Sequence, residues 1–386
     1  MLGTRISTMA TRATTIRLMR TMFVQSGDYI LCDLTESEVF QAYFDCRKGK
    51  KNTLSVQKFE EHLNRNVMDL YYDLINNTYE PGMSICFVVT KPKAREIWAA
   101  SFRDRIVHHI LYNRYSDQFH KSFIHDSYAC IPGKGTLKSS IKVQKNIRSV
   151  TKNHTQQASF LKADIANFFV SINKNILEEI LSKKITDPWW FNLTKIILHN
   201  DPTKNCFIKS NEELLNKVPK HKSLFNAKKG FGLPIGNLSS QFFANVYLNG
   251  LDQYIKHELK VKYYIRYVDD ILLMGESGKD LEGIYRKIEI YTFNKLGLDF
   301  HPNKLEINTV DMGINFVGYI IKPFCKYIRR TTIENLHSKL YSNNLKQVVN
   351  SYFGMLIHCN QFKERVHIKS LLNVRFDKNL TKIIGI

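Results

Sequence analysis

Two aspartates stand side by side at positions 269 and 270, in the stretch "VKYYIRYVDDILLMG", with apolar residues on both flanks. Adjacent carboxylates repel, and burial adds a desolvation cost, so the pair needs a compensating partner. A hard divalent cation is one such partner, because it takes carboxylate oxygens and cancels the repulsion. A third carboxylate should then stand elsewhere. Asp164 in "FLKADIANFF" is the candidate, since it ends an apolar run and precedes an aromatic pair. Three carboxylates with two magnesium ions suit phosphoryl transfer, one ion activating a 3′ hydroxyl and the other neutralising a leaving pyrophosphate. A Y-x-D-D string arises by chance only about 0.04 times in a chain of this length, so its setting decides what it means.

The setting is strand, tight turn, strand, with the aspartates at the turn. "ASFLKADIANFFVSIN" reads as a strand with a helix after it, and adjacent strands would bring Asp164 beside that turn. "SSQFFANVYLNGLDQYIKHEL" places Phe243, Val246, Tyr247, Leu251, Tyr254 and Ile255 on one stripe of a helix packed on a sheet, with serines to cap its start. Upstream, residues 34–80 carry apolar residues at helical spacing on either side of the basic turn "RKGKKN". The strand-like "SICFVV", the basic turn "TKPKARE", the apolar "IWAASF" and the helix "RDRIVHHILYNRYSDQF" follow. Residues 201–231 are polar and lysine-rich and read as a loop or small hairpin. A helix in "DLEGIYRKIEIYTFNKLG", a strand pair around "INFVGYIIK" and a basic helical tail close the chain, Tyr352, Phe353 and Leu356 forming the tail's apolar stripe. No repeat of 20 to 50 residues is apparent.

Composition narrows the partners. The 386 residues are 44% hydrophobic and 12% aromatic, enough for two or three packed subdomains rather than a disordered chain. Lys and Arg number 56 against 35 Asp and Glu, a net charge of +21 that points to a polyanion. No apolar run reaches the ~18 residues that would span a bilayer, so nucleic acid is expected and a membrane is not. The seven cysteines are widely spaced, odd in number and without a C-x-x-C pair, which argues for neither a disulfide framework nor a zinc site and fits a reducing cytoplasm. The first twenty residues, "MLGTRISTMATRATTIRLMR", have four arginines and no acid; they read as a flexible basic arm or an upstream start, with transit-peptide composition as the other reading.

In combination the motifs resemble those of bacterial reverse transcriptases, most closely those of diversity-generating retroelements, which are related to group II intron and phage-defence enzymes. The resemblance runs from "YFDCRKGKKNT" to "INFVGYIIKP". "FRDRIVHHIL" resembles the fingers motif, "SYACIPGKGT" the template-facing segment, "KADIANFF", "GLPIGNLSSQ" and "YVDD" the three catalytic motifs, "LGLDFHPNKLEI" the fourth and "INFVGY" the primer grip. The implied fold is α+β, a right-hand polymerase with fingers, a palm whose antiparallel sheet is backed by helices, and a short helical thumb. The implied boundaries are a basic arm at 1–33, a helical extension at 34–80, fingers at 81–160, a palm at 161–322 with a basic insertion at 201–230, and a thumb at 323–386.

The resemblance makes Asp164, Asp269 and Asp270 catalytic and assigns them, with Ile165, to two Mg2+ ions. It places Phe169 at the bulky position that clashes with a 2′ hydroxyl, and Arg95 and Lys93 where fingers grasp a triphosphate, a task suited to a guanidinium fork and a nearby point charge. Lys304 matches a lysine proposed to protonate pyrophosphate. Intron-type enzymes typically have glutamine where Ile235 stands and proline where Gln241 stands; the form here implies one fewer polar contact to the nascent base pair and lower fidelity. Arg105, Lys134, Tyr267, Gly318, Tyr319, Arg329 and Arg330 are expected at nucleic acid, and Lys326 and the lysines of 201–229 suit phosphates along a duplex recognised by shape. His108 and His109 lack partnering ligands and read as helix-face residues.

The expected activity is RNA-directed DNA synthesis from an RNA template and primer with deoxynucleoside triphosphates, giving cDNA, in a bacterial cytoplasm. An RNA polymerase on the same palm and a non-catalytic RNA-binding module are the competing readings. The expected setting is a diversity-generating retroelement with an accessory protein, or alternatively phage defence with a non-coding RNA and a partner polymerase. With no endonuclease signature or maturase-like extension, self-sufficient intron mobility is not expected.

Overall fold

The computed structural model describes residues 32–339 and 345–375. Residues 1–31 of the expected basic arm at 1–33, and 340–344 and 376–386 of the expected thumb, lie outside the described residues, as does the Phe353 side chain. The strands in chain order are β1 (Ser84–Val89), β2 (Arg95–Ala99), β3 (Ser159–Asp164), β4 (Cys206–Ile208), β5 (Tyr263–Tyr267), β6 (Asp270–Gly275), β7 (Glu306–Thr309), β8 (Ile314–Phe316), β9 (Tyr319–Ile321) and β10 (Lys326–Ile328). They form a central antiparallel sheet in the order β5-β6-β3-β7, an antiparallel sheet β10-β9-β8, and a small sheet β2-β1-β4.

The central sheet is buried on both faces. Leu161, Ala163, Tyr264, Ile271 and Leu273 enter one core, shared with the helices Phe102–His120 and Leu238–Gln253. Phe160, Ile265, Leu272 and Met274 enter a second core, shared with the helix Thr136–Val150 and with Ile314, Phe316 and Ile321 of the next sheet. Successive strand residues point to opposite faces, so two covered faces require a near-continuous apolar run, which is how "YYIRY" and "DILLM" read. Each fully buried Leu or Ile contributes roughly 1.5–3 kcal/mol, which makes this sheet a rigid base for whatever stands at its ends.

The N-terminal helices Glu36–Arg47, Leu54–Glu60 and Leu63–Ile75 form as the spacing predicts and extend the first core through Val39, Tyr43, Val56, Val67 and Leu70. The first begins at a reciprocal cap in which Thr35 accepts from the Glu38 N–H and Glu38 accepts from the Thr35 N–H.

Two local expectations fail for identifiable reasons. The helix Leu238–Gln253 starts at Asn237, and neither serine caps it: Ser239 and Ser240 are buried in its first turn, while the Asn237 carboxamide accepts instead from the Ala100 N–H at 3.2 Å. The expected stripe is buried or half-buried, but Phe242, Ala244, Leu248 and Asp252 are buried too, because this helix has neighbours on several sides. The 201–231 stretch forms no hairpin of its own. Its strand β4 adds in parallel to β1, pairing Ser84 with Cys206, and Leu224 packs with Cys86 and Trp98. In sequence this stretch lies between β3 and β5; in space its strand joins the β1–β2 hairpin. Three helices, Arg330–Lys339, Leu345–Leu356 and Phe362–Arg375, follow β10, with Tyr352 half-buried and Leu356 buried. No helix among the described residues is long and apolar enough to cross a membrane.

Candidate active site

Strand register brings the three carboxylates together. β3 pairs with β6 so that Asp164 stands opposite Asp270, and β5 pairs with β6 so that Tyr267 also faces Asp270, leaving Val268 and Asp269 as the turn. The Ile165 N–H donates to the Asp269 carbonyl at 3.3 Å, which ties the end of β3 to that turn. All three aspartates are half-buried. Burial raises the Asp269 pKa well above the usual carboxylate range, and the charges of Asp164 and Asp270 raise it further. Burial also raises Asp270, against the opposing field of Lys162.

The turn is held in an unfavourable conformation. Val268 has φ +56°, in the left-handed region where a β-branched residue is strained by on the order of 1–3 kcal/mol. Beneath it lies Arg266, fully buried, whose Nη1 donates to the Val268 carbonyl at 3.0 Å and to Asn245 Oδ1 at 3.1 Å. Its Nε and Nη2 bind both oxygens of Asp252 at 2.7–3.0 Å, and the Tyr264 hydroxyl donates to the same carboxylate at 2.8 Å. The sequence reading passed over this network. Its signal was available: one arginine inside the apolar strand "YYIRY" and one aspartate on the buried face of a helix.

Among the described residues no group of three or more His, Cys, Asp or Glu forms a ready-made cage for an ion, and Asp164 is instead ion-paired with the Lys304 ammonium. The donor chemistry nevertheless fits divalent cations: Asp164 and Asp270 stand opposite each other with Asp269 next in the turn, the last two in surroundings that disfavour their charge, and a hard cation removes that penalty. The Ile165 side chain is in the core, which confines any role for this residue to its main-chain carbonyl.

Of the expected nucleotide-contacting residues, Lys304 pairs with Asp164, and the others take the following places. Lys93 and Arg95 are exposed at the β1–β2 turn and the start of β2, and the field of Arg95 reaches Asp269. Phe168 is buried while Phe169 is half-buried, packed against the edge of the first core with its ring 5.4 Å from that of Phe168. The Phe169 carbonyl accepts from Leu233 at 2.8 Å and the Ile172 carbonyl from Gly232 at 2.9 Å, which joins the "KADIANFF" and "GLPIG" segments. Ile235 is half-buried in the turn ahead of its helix, and its carbonyl accepts from the Trp98 N–H at 2.7 Å. Gly236, at φ +124°, lies so close to β2 that a Cβ would stand 2.9 Å from the Trp98 carbonyl oxygen. Gln241 is exposed in the first turns of that helix.

The expected nucleic-acid contacts divide. Tyr267 is half-buried at the end of β5, and Arg329 is also half-buried, its charge opposing the rise that burial gives the Asp270 pKa. Arg330 is exposed and pairs with Glu334 one helical turn on. Gly318 takes φ +91° in the β8–β9 turn, against Met355. Tyr319 is corrected: its side chain is 1% exposed in the second core and cannot reach a nucleic acid. Lys326 is corrected likewise, at 2% exposed, with its ammonium donating to Ser140 Oγ at 3.1 Å and lying over the Tyr319 ring. Lys134 already donates to the His125 and Ser127 carbonyls at 2.6 and 2.9 Å, stapling its loop. Arg105 reaches Ser55 and the Phe102 ring, and none of its described contacts is to the carboxylate turn. His108 is buried rather than on an open helix face, and burial pushes it down to about 4.

Residues 89–321 match a family model described as "Reverse transcriptase (RNA-dependent DNA polymerase)". Over 277 residues, 57% of this chain, the sequence is 21% identical to the "Putative COX1/OXI3 intron 2 protein" of Saccharomyces cerevisiae; the match covers 29% of that protein, so the chain spans less than a third of that relative's length. Similar solved structures include apo telomerase from Candida tropicalis truncated from its C-terminal domain, with a TM-score of 0.46 and 13% identity over 68% of this chain and 59% of that one. Another is telomerase from Candida albicans in complex with the TWJ fragment of telomeric RNA, with a TM-score of 0.46 and 11% identity over 83% and 64% of the respective chains.

Proposed function

The chain belongs to the reverse transcriptase family, and from that premise we propose that it copies an RNA template into cDNA by nucleotidyl transfer, using deoxynucleoside triphosphates and a primer. The observation that carries this reading is the meeting of Asp164, Asp269 and Asp270 at one sheet end, set by the β3–β6 register and by a strained turn pinned from below by Arg266. Asp164, Asp269 and Asp270, with the Ile165 carbonyl, would hold two Mg2+ ions. When bound, these supply activation of the primer 3′ hydroxyl and charge neutralisation at the leaving pyrophosphate.

The protein's own groups do the rest. Arg95 and Lys93 receive the triphosphate. Lys304, which is ion-paired with Asp164, gives a proton to the leaving pyrophosphate. The half-buried Phe169 ring excludes a 2′ hydroxyl. Tyr267, the Gly318 main chain, Arg329 and Arg330 follow the template–primer duplex, and Lys134 does so through its remaining N–H. The fingers (81–160), palm (161–322) and thumb (323–386) divide these tasks.

The finer reading is error-prone synthesis in a bacterial diversity-generating retroelement, with an accessory protein, and it rests on Ile235 and Gln241. An aliphatic side chain at 235 offers no hydrogen bond to the nascent pair.

Magnesium-dependent incorporation of labelled deoxynucleotides on an RNA template tests the main reading. Wild type should extend a primer and Asp269→Asn should fall to background. Equal extension by both, or a preference of wild type for ribonucleotides, would overturn it.

A further inference from the structure

The 201–230 insertion is clamped onto the strand that carries Arg95. The Leu224 N–H donates to Glu96 Oε2 at 2.8 Å, the Phe225 ring lies 5.0 Å from that of Trp98, and Leu224 packs against Trp98 and Cys86. Gly232, at the far end of the insertion, leaves room for Leu224: a Cβ there would stand 2.7 Å from its Cδ1. Together with the β4–β1 pairing, these contacts hold the short turn Lys220–Lys222 against β2, two residues ahead of the point where Leu224 meets Glu96, the neighbour of Arg95.

Lys222 is half-buried and makes no ion pair with a carboxylate among the described residues. Burial lowers its pKa, and the fields of Lys304, Lys93 and Arg95 lower it further, opposed by Asp164. Lys222 of the insertion, Lys93 and Arg95 of the β1–β2 turn, and Lys304 thus come from three segments whose fields meet at Lys222, and among the described residues only Lys304 of the four has a carboxylate partner. Crowding of like charges costs energy unless an anion of higher charge occupies the gap.

We propose that Lys222 is a fourth triphosphate-binding residue, supplied by the insertion, which contacts the outer phosphates of the incoming nucleotide and then the pyrophosphate that leaves. This rests on the polymerase reading for the identity of the ligand. An insertion that only widened the duplex-binding surface would have no reason to set a half-buried lysine against the strand that carries Arg95. A lysine suits the task as a point charge that can follow phosphates as they move.

The test uses the full chain with Lys222→Ala and Lys222→Arg. The alanine variant should raise KM for deoxynucleotide about tenfold, as loss of one charge-assisted contact does, and weaken inhibition by inorganic pyrophosphate similarly. Affinity for an RNA–DNA duplex should not change, and arginine should restore most of the loss. An unchanged KM, or loss confined to duplex affinity, would overturn the proposal. Fluorescence anisotropy of a labelled deoxynucleoside triphosphate with magnesium separates this from failure of the polymerase reading. Weaker triphosphate binding by Lys222→Ala in a wild-type protein that never extends a primer would sink the polymerase reading and keep the phosphate site; equal binding would sink the site.

Discussion

Removing one partner of the Arg266–Asp252 pair should cost more than removing both. Both side chains have no solvent exposure, and the guanidinium makes three hydrogen bonds to Asp252 plus one each to Asn245 and Val268. Asp252→Asn leaves a buried guanidinium without its counter-charge, which costs about 3–5 kcal/mol against a total stability on the order of 5–15 kcal/mol. Arg266→Met leaves the Asp252 carboxylate held only by the Tyr264 hydroxyl and should cost a similar amount. In the double variant Asp252→Asn/Arg266→Met no charge remains to desolvate, so its loss should be well below the sum of the singles. Urea denaturation of the four proteins gives the coupling. Activity should follow a different order. Every variant lacking Arg266 loses the donor to the Val268 carbonyl, and a strained turn without its anchor relaxes, so the double variant should fold and still incorporate nucleotide poorly. A double variant as unstable as the two singles combined would refute the argument, and so would full activity without the guanidinium.

Four further outcomes follow from the same geometry. In EDTA, Asp269→Asn should melt about 2 °C or more above wild type near pH 8. Its raised folded pKa means the native state holds a proton that the unfolded chain releases, so wild-type stability falls as pH climbs above the usual carboxylate value, and the amide escapes this. His108 runs oppositely: folded near 4 against 6.5 unfolded, it takes up its proton mainly on unfolding. Stability should therefore be full above pH 6.5 and decline toward pH 4, by about 3 kcal/mol from 2.5 pKa units, and His108→Gln should flatten that slope in thermal melts, the remainder belonging to His109. Phe169→Ala should admit ribonucleotides, read as a rise in their incorporation relative to deoxynucleotides. Ile235→Gln should lower the error frequency in sequenced cDNA by about tenfold, from roughly 1–2 kcal/mol of added discrimination; unchanged error rates would remove position 235 from any account of fidelity.

The carboxylates were legible because strand periodicity is a local signal and a charge pair inside it is a local violation. "DILLMG" and "SFLKAD" announce strands by composition, and their pairing then places Asp164 without further information. The Asn237 cap was not legible, since the carboxamide is diverted to Ala100, which lies 137 positions away in sequence. Tyr319 and Lys326 misled for a related reason: both are amphipathic side chains whose polar tips can be wet or buried, and only the packing of β8–β10 on the helix Thr136–Val150 decides. The insertion was hardest. Its strand has three residues, and nothing in "CFI" names β1 as the edge it joins.

The centre is where this chain departs furthest from what stability alone would select. Within one turn of the central sheet stand a β-branched residue at positive φ, two carboxylates whose charged forms are disfavoured, and a fully buried ion pair beneath them. Each departure costs on the order of 1–3 kcal/mol where a plain apolar hairpin would cost nothing. Apolar burial on both faces of the sheet offsets the sum, so the fold tolerates the site without depending on it. A protein that only bound RNA would need the basic surface but not this turn. An asparagine at 269 and a glycine at 268 would serve it better. The strained, repulsive arrangement at the end of the central sheet therefore argues for a ligand carrying positive charge, and the cations of three segments whose fields meet beside Asp164 argue for a polyphosphate as its companion.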